Sequence, residues 1–457
     1  MDNEQGTENR KQKTEFLSYA HCLMSKNDMN LRDCKTIEER RKLMEKLCDV
    51  SLPNIGSYSL DGEVASTRNC ENMIGAIQIP LGIAGPLKLK TCHMLASIQT
   101  YSSRSGLTVP CHDYYIPLAT TEGALVASVN RGCKAITESG GAQVLCHRIG
   151  STRGPVFKVK SLEENLYLFD FLKNDENEMK KIAELTSHHL KMLSYDTKST
   201  GLYRFVRFIF DTQDAMGLNM VTIATDAIVR YIEEKTEARC VSLSGNFCAD
   251  KKASHLNFQK SRGIEVWAEA RISPSIVQSV LNTTPEKFVE TWFSKCMIGS
   301  AMSGSMGFNA QFANVLSAVF IATGQDPAHV AECAIGMTTA EVTPKGDLYV
   351  SIYLPDLMVG TVGGGTGLGT QKEALELLGV AGSSVGGDGK NAEKFAEIIG
   401  AAVLAGEISL LASLSQGTLA SAHQKLGRGE IVRKTQKTRS FRESENRKVG
   451  ISENLTI

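Results

Sequence analysis

The sequence predicts a multidomain α+β protein, on three observations. At 457 residues the chain is too long for one ordinary core and long enough for two or three domains. Between residues 155 and 243, strand-like and helix-like segments alternate, which suggests a small α/β or α+β insert packed on one sheet. Near the C-terminus, "FAEIIGAAVLAGEISLLASLSQGTLASAH" is apolar but interrupted by Glu397 and Glu407, so it reads as a helix buried in a larger body rather than a membrane span.

The elements follow in order. Residues 1 to about 60 read as polar and helical, with Ile37, Leu43, Met44 and Leu47 near one face. "ENMIGAIQIPLGIAGPLKL" mixes Gly75, Pro80, Gly82, Gly85 and Pro86 with apolar residues and is expected to be irregular rather than a strand. "YSSRSGLTVPCHDYY" reads as a loop or insertion. "PLATTEGALVASVNRGCKAITESGG" reads as a helix capped by Thr120 or Thr121 and stopped by Gly140 and Gly141. Residues 155–210 read as strand, helix, strand, and "DAMGLNMVTIATDAIVRYIEEKTEA" as a further helix before the strand "ARCVSLSG". A larger body resumes near residue 254, and residues 428–457 are charged and aromatic-poor, the composition of a mobile tail.

Composition excludes several function classes. Fifty basic and fifty acidic residues cancel, so no charge excess points to nucleic acid or anionic lipid. Twelve cysteines lack any C-x-x-C pair, which argues against structural zinc and a disulfide scaffold and for free thiols in a reducing, cytoplasmic setting. No metal site is expected. The N-terminus "MDNEQGTENRKQK" has the pattern of neither a signal nor a transit peptide.

Taken singly, the motifs have bland readings beside the chemical ones. "GTVGGGTGLGTQ" matches neither G-x-G-x-x-G nor a Walker loop; its glycines let backbone amides approach a ligand, or merely pack a turn. Asp214 opens "DAMGLNM" either as an N-cap or beside an anion-binding helix start. Glu122 is a carboxylate among apolar residues, suited to proton transfer, or a first-turn acid. His423 suits a late-helix position, and Asp326 before Pro327 suits a cap. In "NFCADKKASH", Asp250, Lys251 and Lys252 form either a solvated turn or an inward-facing charge cluster.

Together and in order, eight stretches change this balance. "ENMIGAIQIPLGIAGPL", "ATTEGALVASVNRGCKAI", "TRGPV", "DAMGLNM", "SGNFCADKK", "GSAMSGSMGFNA", "GQDPA" and "GTVGGGTGLGTQ" resemble the catalytic region of 3-hydroxy-3-methylglutaryl-coenzyme A (HMG-CoA) reductases, most closely the eukaryotic and archaeal class, over about residues 55–430. The resemblance implies an α+β fold. A large substrate-binding domain surrounds a central helix, with an inserted small ferredoxin-like dinucleotide-binding domain and a helical N-terminal region. The matching ranges are 1–70 for the helical region, 71–154 and 244–427 for the large domain, 155–243 for the insert and 428–457 for a flexible tail.

The implied reaction is reduction of HMG-CoA to mevalonate and CoA by two hydrides from NADPH, through a mevaldyl-CoA hemithioacetal and mevaldehyde, in isoprenoid or sterol biosynthesis. By resemblance, Lys251 stabilises the developing oxyanion, Glu122 supplies or relays protons, Asp326 holds both, and His423 protonates the departing thiolate. Arg153, Ser244, Asp250, Lys252, Lys295 and Asn314 match substrate-binding positions, and Ser128, Asn130 and Arg131 match the CoA-contacting ones. Asp214, Met216, Gly217 and Asn219, with Gly363, Gly364 and Gly365, match the two dinucleotide signatures. Lys251 is thus expected to be buried against Glu122 and Asp326, and Lys252 with Asp250 to hold the substrate's far carboxylate. The resemblance also implies an obligate homodimer or homotetramer with its active site at the subunit interface, cytoplasmic unless a longer, endoplasmic-reticulum-anchored form exists.

The sequence departs from the family pattern in places. Ser187, His188 and His189 stand where animal members carry a Ser-Arg-Phe run that reads the 2′-phosphate of NADP, and Gly429 replaces their regulatory serine. Residues 88–115 are longer than usual. NAD-linked mevalonate oxidation and a non-catalytic CoA-ester-binding paralogue are the competing readings.

Overall fold

A computed structural model describes Leu31 and residues 34–91 and 111–417. His423 and the 428–457 tail lie outside the described residues. The chain divides into two compact units, residues 1–78 and 79–457. In the first, helix α1 (Ile37–Cys48) begins with a capping box. Thr36 Oγ1 accepts from the Glu39 N–H, and the Glu39 carboxylate accepts from the Thr36 N–H. Helix α2 (Gly62–Arg68) starts at Asp61, whose Oδ1 accepts from the Glu63 and Val64 amides.

The second unit carries two sheets joined by one strand. Its strands are β1 (Leu81–Thr91), β2 (Cys111–Ala119), β3 (Ala142–Arg153), β4 (Val156–Lys158), β5 (Lys191–Thr200), β6 (Tyr203–Asp211), β7 (Arg239–Ser242), β8 (Arg262–Ile272), β9 (Gly307–Phe308), β10 (Gly336–Val342) and β11 (Leu348–Leu357). The larger sheet runs β2–β1–β3–β8–β11–β10–β9. Strand β3 pairs with β8 through Gln143–Gly150, then with β6 through Ser151–Arg153. One strand therefore passes from the large sheet into the small one.

The small sheet has the order β7–β4–β6–β5, with every pair antiparallel. Two helices, α4 (Leu162–Asn174) and α5 (Glu176–Glu184), follow β4, and α6 (Leu218–Lys235) connects β6 to β7. This is the β-α-β-β-α-β pattern of a ferredoxin-like fold. Its core packs Leu172, Met179, Ile228 and Ile232 on Phe157 and Phe208.

Helix α9 (Lys390–Ser415) is the axis of the large body. By length and composition it is apolar enough to cross a membrane, yet 83% of its apolar window is buried inside the protein. It packs beside helix α3 (Leu125–Glu138), and the two cross at Gly132. A Cβ there would lie 1.9 Å from the Ala405 carbonyl oxygen, so this approach admits glycine alone. The acids that interrupt the apolar run are both buried. Glu407 accepts from the Ala310 amide (2.8 Å), the Gln311 amide (2.6 Å) and Thr338 Oγ1 (2.6 Å), and so caps helix α8 (Phe312–Thr323). Burial, with Glu393 nearby, pushes the Glu397 carboxyl up to about 8.

Three local expectations are corrected. Residues 81–91 form regular strand, irregular only where the register shifts between Ala84 and Leu87, because Ala84, Leu87 and Leu89 all face the core. Cys111–Tyr115 open β2 rather than lying in a loop. Helix α3 starts at Leu125, not at the threonines. Thr120 Oγ1 instead accepts from the Glu122 amide (2.9 Å) and closes a turn that leaves Glu122 outside the helix.

Gly132→Ala is expected to lower stability by roughly 1–3 kcal/mol, since the helices must part to admit the methyl group. The denaturation midpoint should fall with an unchanged slope; an unmoved midpoint would show that the crossing is not tight.

Candidate active site

The segment Asn246–Lys252 leaves strand β7 as an irregular loop. Asn246, Ala249 and Lys251 all have positive φ, at 62°, 52° and 57°. Asparagine tolerates this region; alanine and lysine each lose on the order of 1 kcal/mol or more there. Surrounding hydrogen bonds hold the conformation. The Lys251 amide donates to Glu332 Oε1 (3.1 Å), and Asn257, from the short helix α7 (His255–Lys260), donates to the Ala249 carbonyl (3.3 Å).

Behind this loop lies a buried polar network. Arg262, at the start of β8, is fully buried and places Nη1 2.7 Å from both oxygens of Glu332. Its Nε donates to Thr152 Oγ1 (2.8 Å) and its Nη2 to Asp250 Oδ1 (3.0 Å). Asp250 Oδ2 in turn faces Arg153 Nη1 at 3.6 Å. His329 Nδ1 hydrogen-bonds Glu332, and Asn257 Nδ2 also lies 2.6 Å from Asp356 Oδ2.

The network sets two buried acids apart. Burial pushes Glu332 up, but the His329 hydrogen bond and the Arg262 charge outweigh it and hold the carboxyl down at about 2. Burial, then the neighbouring Glu332 charge, raises Asp356 well above the usual carboxylate range. As a carboxylate, Asp356 would leave Oδ1 without a partner; as an acid it donates to Glu332. Asp250, His329 and Glu332 also offer three metal-ligand atoms within 4.8 Å of one another, but the Arg262 guanidinium already supplies the cation there.

At the edge of the network, Lys251 Nζ meets Asp326 Oδ2 at 2.6 Å. Asp326 is indeed a cap, accepting from the Ala328 amide (3.0 Å), but it serves the lysine as well. Burial pushes its carboxyl up, yet the hydrogen bonds from Lys251 and Ala328 and the His329 charge hold it below the usual range.

The turn before Asp326 is bolted to the second glycine loop. Gly324 has φ 71°, and a Cβ there would lie 2.3 Å from the Gly365 carbonyl oxygen. Gln325 Oε1 accepts from the Gly360 amide (2.9 Å). Val362 pairs with Ala215, so the 360–365 and 214–217 loops are contiguous. Gly217 stands at the N-cap of α6, whose first amides receive no side-chain cap. Beside the same loop, exposed His189 meets Gln213 Oε1 at 3.0 Å.

A cavity of about 650 Å³ is lined in part by Ala253, Lys295, Gln311, Asn314 and Ala331. At its wall Asn314 Nδ2 donates to Glu122 Oε1 (3.3 Å).

Comparison with known proteins agrees with this geometry. The family model for hydroxymethylglutaryl-coenzyme A reductase matches residues 36–428. The chain belongs to the HMG-CoA reductase family. A reductase of Methanothermobacter thermautotrophicus is 46% identical over 396 residues, covering 86% of this chain and 94% of that protein. One from Dictyostelium discoideum is 38% identical over 406 residues, covering 88% and 70%. A class II HMG-CoA reductase from Streptococcus pneumoniae, solved bound to NADPH, shares the fold with a TM-score of 0.59 at 19% identity, covering 83% of this chain and 97% of that one.

Within the HMG-CoA reductase frame, single-chain geometry joins Lys251 to Asp326, Asp250 to Arg153 and Glu122 to Asn314, and sets Lys295 with Asn314 on one cavity. In the single chain the Lys251 side chain is 38% exposed and pairs with Asp326. Lys252 is exposed and its Nζ turns back to the Asp250 carbonyl (3.1 Å). Asp250, held between two arginines, fixes cations rather than offering a free carboxylate. Ser244 is exposed, its hydroxyl 3.6 Å from Cys248 Sγ.

Several matched positions have structural partners. Asp214 is buried; it accepts from the Ser384 amide and hydroxyl and from the Ala392 amide, which caps α9. Its carboxylate therefore ties the 214–217 loop to the start of α9. The Met216 carbonyl accepts from Ser151, while Asn219 is exposed in the first turn of α6. Ser187 Oγ accepts from the His189 amide (3.2 Å), and His188 is exposed in that same turn. Gly363 and Gly364 have open space where a Cβ would be, and Gly365 abuts Gly324. On α3, Ser128 and Arg131 bond to Ser409 of α9, and Asn130 accepts from the Gly85 amide. Sequence reasoning did not single out Arg262, Glu332, His329, Asn257, Asp356 or Gln325. The one signal was in "DPAHVAEC", where His329 and Glu332 stand three apart among small apolar residues.

Asp356 gives a pH test. Below about pH 4 its folded and unfolded forms are both protonated, and above that only the folded form keeps the proton, so its contribution to stability falls as pH rises. Asp356→Asn keeps the bonding shape without the proton. Its stability relative to the parent should therefore rise with pH above the ordinary carboxylate range. A pH-independent difference in chemical denaturation would show that Asp356 is ionised.

Proposed function

We propose that this protein reduces HMG-CoA to mevalonate and coenzyme A with two NADPH per turnover, at a site completed by a second copy of the chain. The observation that carries this reading is the Lys251–Asp326 pair, 2.6 Å apart and bolted through Gln325 to the paired 214–217 and 360–365 loops. It sets a cation beside the paired 214–217 and 360–365 loops, as a reaction that builds charge on a carbonyl oxygen requires.

The residues fit the cofactor. The uncapped N-terminus of α6 and the open faces of Gly363 and Gly364 suit the phosphates of a dinucleotide. NADPH, when bound, supplies the hydride. Lys251 offsets the negative charge that develops on the substrate oxygen at each reduction, and Asp326 keeps the ammonium aimed. Glu122, steadied by Asn314, is the proton source. Lys295 at the cavity wall and Arg153, fixed by Asp250, are placed to pair with substrate carboxylate. His423 would protonate the thiolate. The exposure of Lys251 and Glu122 in a single chain supports an interface site, because a second subunit would exclude water and strengthen both charges.

A second reading keeps the chemistry but uses NADH, or runs it toward mevalonate oxidation. It is favoured by the histidines at 188 and 189, which are weaker partners for a 2′-phosphate at neutral pH than an arginine. A non-catalytic paralogue is disfavoured by the intact Lys251–Asp326 pair.

The purified protein should oxidise two NADPH per mevalonate formed in an HMG-CoA-dependent assay, faster than it oxidises NADH. Lys251→Ala should lower kcat by about a hundredfold or more while HMG-CoA still binds. Protein that binds both ligands without consuming either reduced cofactor would overturn the proposal.

A further inference from the structure

His329 has no assigned part in the chemistry above, yet its placement is specific. It is fully buried, on the short turn that begins at Asp326. Nδ1 is engaged by Glu332, and Nε2 has no hydrogen-bond partner. That second nitrogen points toward Asp326 Oδ2 at 3.7 Å, the same oxygen that holds Lys251 Nζ. A buried ring nitrogen left without a partner costs free energy, so its retention calls for an explanation. Arg153 Nε, Asn257 Oδ1 and Asp356 Oδ1 are also buried without a partner, but His329 Nε2 faces the oxygen that holds Lys251. Glu332 is clamped by Arg262 and also receives the Lys251 amide, so the imidazole is gripped from one side only.

We propose that His329 is a positioning residue for the Lys251–Asp326 pair: clamped by Glu332, it presents Nε2 to Asp326 as a second partner, so that the carboxylate stays ionised and fixed when the charge of Lys251 is drawn toward the substrate oxygen. The four groups, Glu332, His329, Asp326 and Lys251, then alternate in sign from the core to the site. No bond to substrate and no net proton transfer is required of the histidine. A 3.7 Å gap is too long for a hydrogen bond in the resting chain but closes with a small rotation of Asp326. The charged and titratable groups around the ring are Asp326 and Glu332 from its own segment, Asp250 and Lys251 from the 246–252 loop, Arg262 from β8 and Asp356 from β11. Two cations and several acids therefore bear on its proton, and only Lys251 competes with it for the same oxygen.

The inference deepens the proposed reaction and rests on it for the role of Lys251, but its main test needs no turnover. With histidine-selective 15N labelling of the full chain, the His329 Nε2 resonance, assigned by its loss in His329→Gln, should move in Lys251→Ala toward that of a ring nitrogen hydrogen-bonded to a carboxylate, because Asp326 Oδ2 can then turn to the imidazole alone. An unmoved Nε2 resonance would overturn the proposal, whatever the protein's activity. In turnover, His329→Gln should move the acid limb of kcat/KM upward by about half a unit or more and lower kcat several-fold, with KM for HMG-CoA unchanged. A change in KM alone, or an unmoved acid limb in a variant with the parent's melting temperature, would reduce His329 to a packing residue.

Discussion

The buried ion pair between Arg262 and Glu332 is the constraint on which the rest of the site depends. Both side chains are fully enclosed, and taking two charges out of water is costly. Removing either partner alone typically costs about 3–5 kcal/mol, because the other is left as an uncompensated charge. A well-packed apolar pair would stabilise a core at least as well, so stability does not account for these two residues. Geometry does. Arg262 anchors β8 to Asp250, Glu332 receives the Lys251 amide and His329, and together they pin a loop with three left-handed residues against the turn that carries Asp326. The Lys251 backbone is held by Glu332 and its ammonium by Asp326, while its side chain stays partly exposed.

The same logic extends outward. Asp214 and Glu407 are buried carboxylates that spend their oxygens on backbone amides at helix starts. Asp214 ties the insert's loop to the start of α9, and Glu407 ties the middle of α9 to the start of α8, beside the cavity. The central helix thus fixes the 214–217 loop and one wall of the cavity from one element, and the two sheets are bridged by the continuous strand β3. Such a frame holds catalytic groups to the tolerance that oriented charge stabilisation requires.

Much of this was legible in the sequence, for identifiable reasons. The buried helix, the α+β insert and the family motifs are carried by local composition and residue order, which need no tertiary information. Asp326 beside Pro327 announced a cap correctly, though not its bond to Lys251. The strand at 81–91 was hidden because Gly85 and Pro86 read as breakers, while the alternation of Ala84, Leu87 and Leu89 across a bulge has no simple period. The network behind the site was invisible because its members lie in separate segments, and each reads alone as an ordinary surface polar or charged residue. The burial expected for Lys251 is that of an assembled site, and within the single chain it is the groups around its backbone that are buried.

The central claim is that the Arg262–Glu332 pair is kept for position rather than stability. The most direct test is kcat of the Arg262→Met/Glu332→Leu double variant, measured beside its denaturation curve. The double variant should still fold, because the core stays filled, at a cost of a few kcal/mol for the acceptor lost to the Lys251 amide, Asn257 and His329, and with kcat reduced at least tenfold. A double variant that folds and keeps the parent's kcat would contradict the claim.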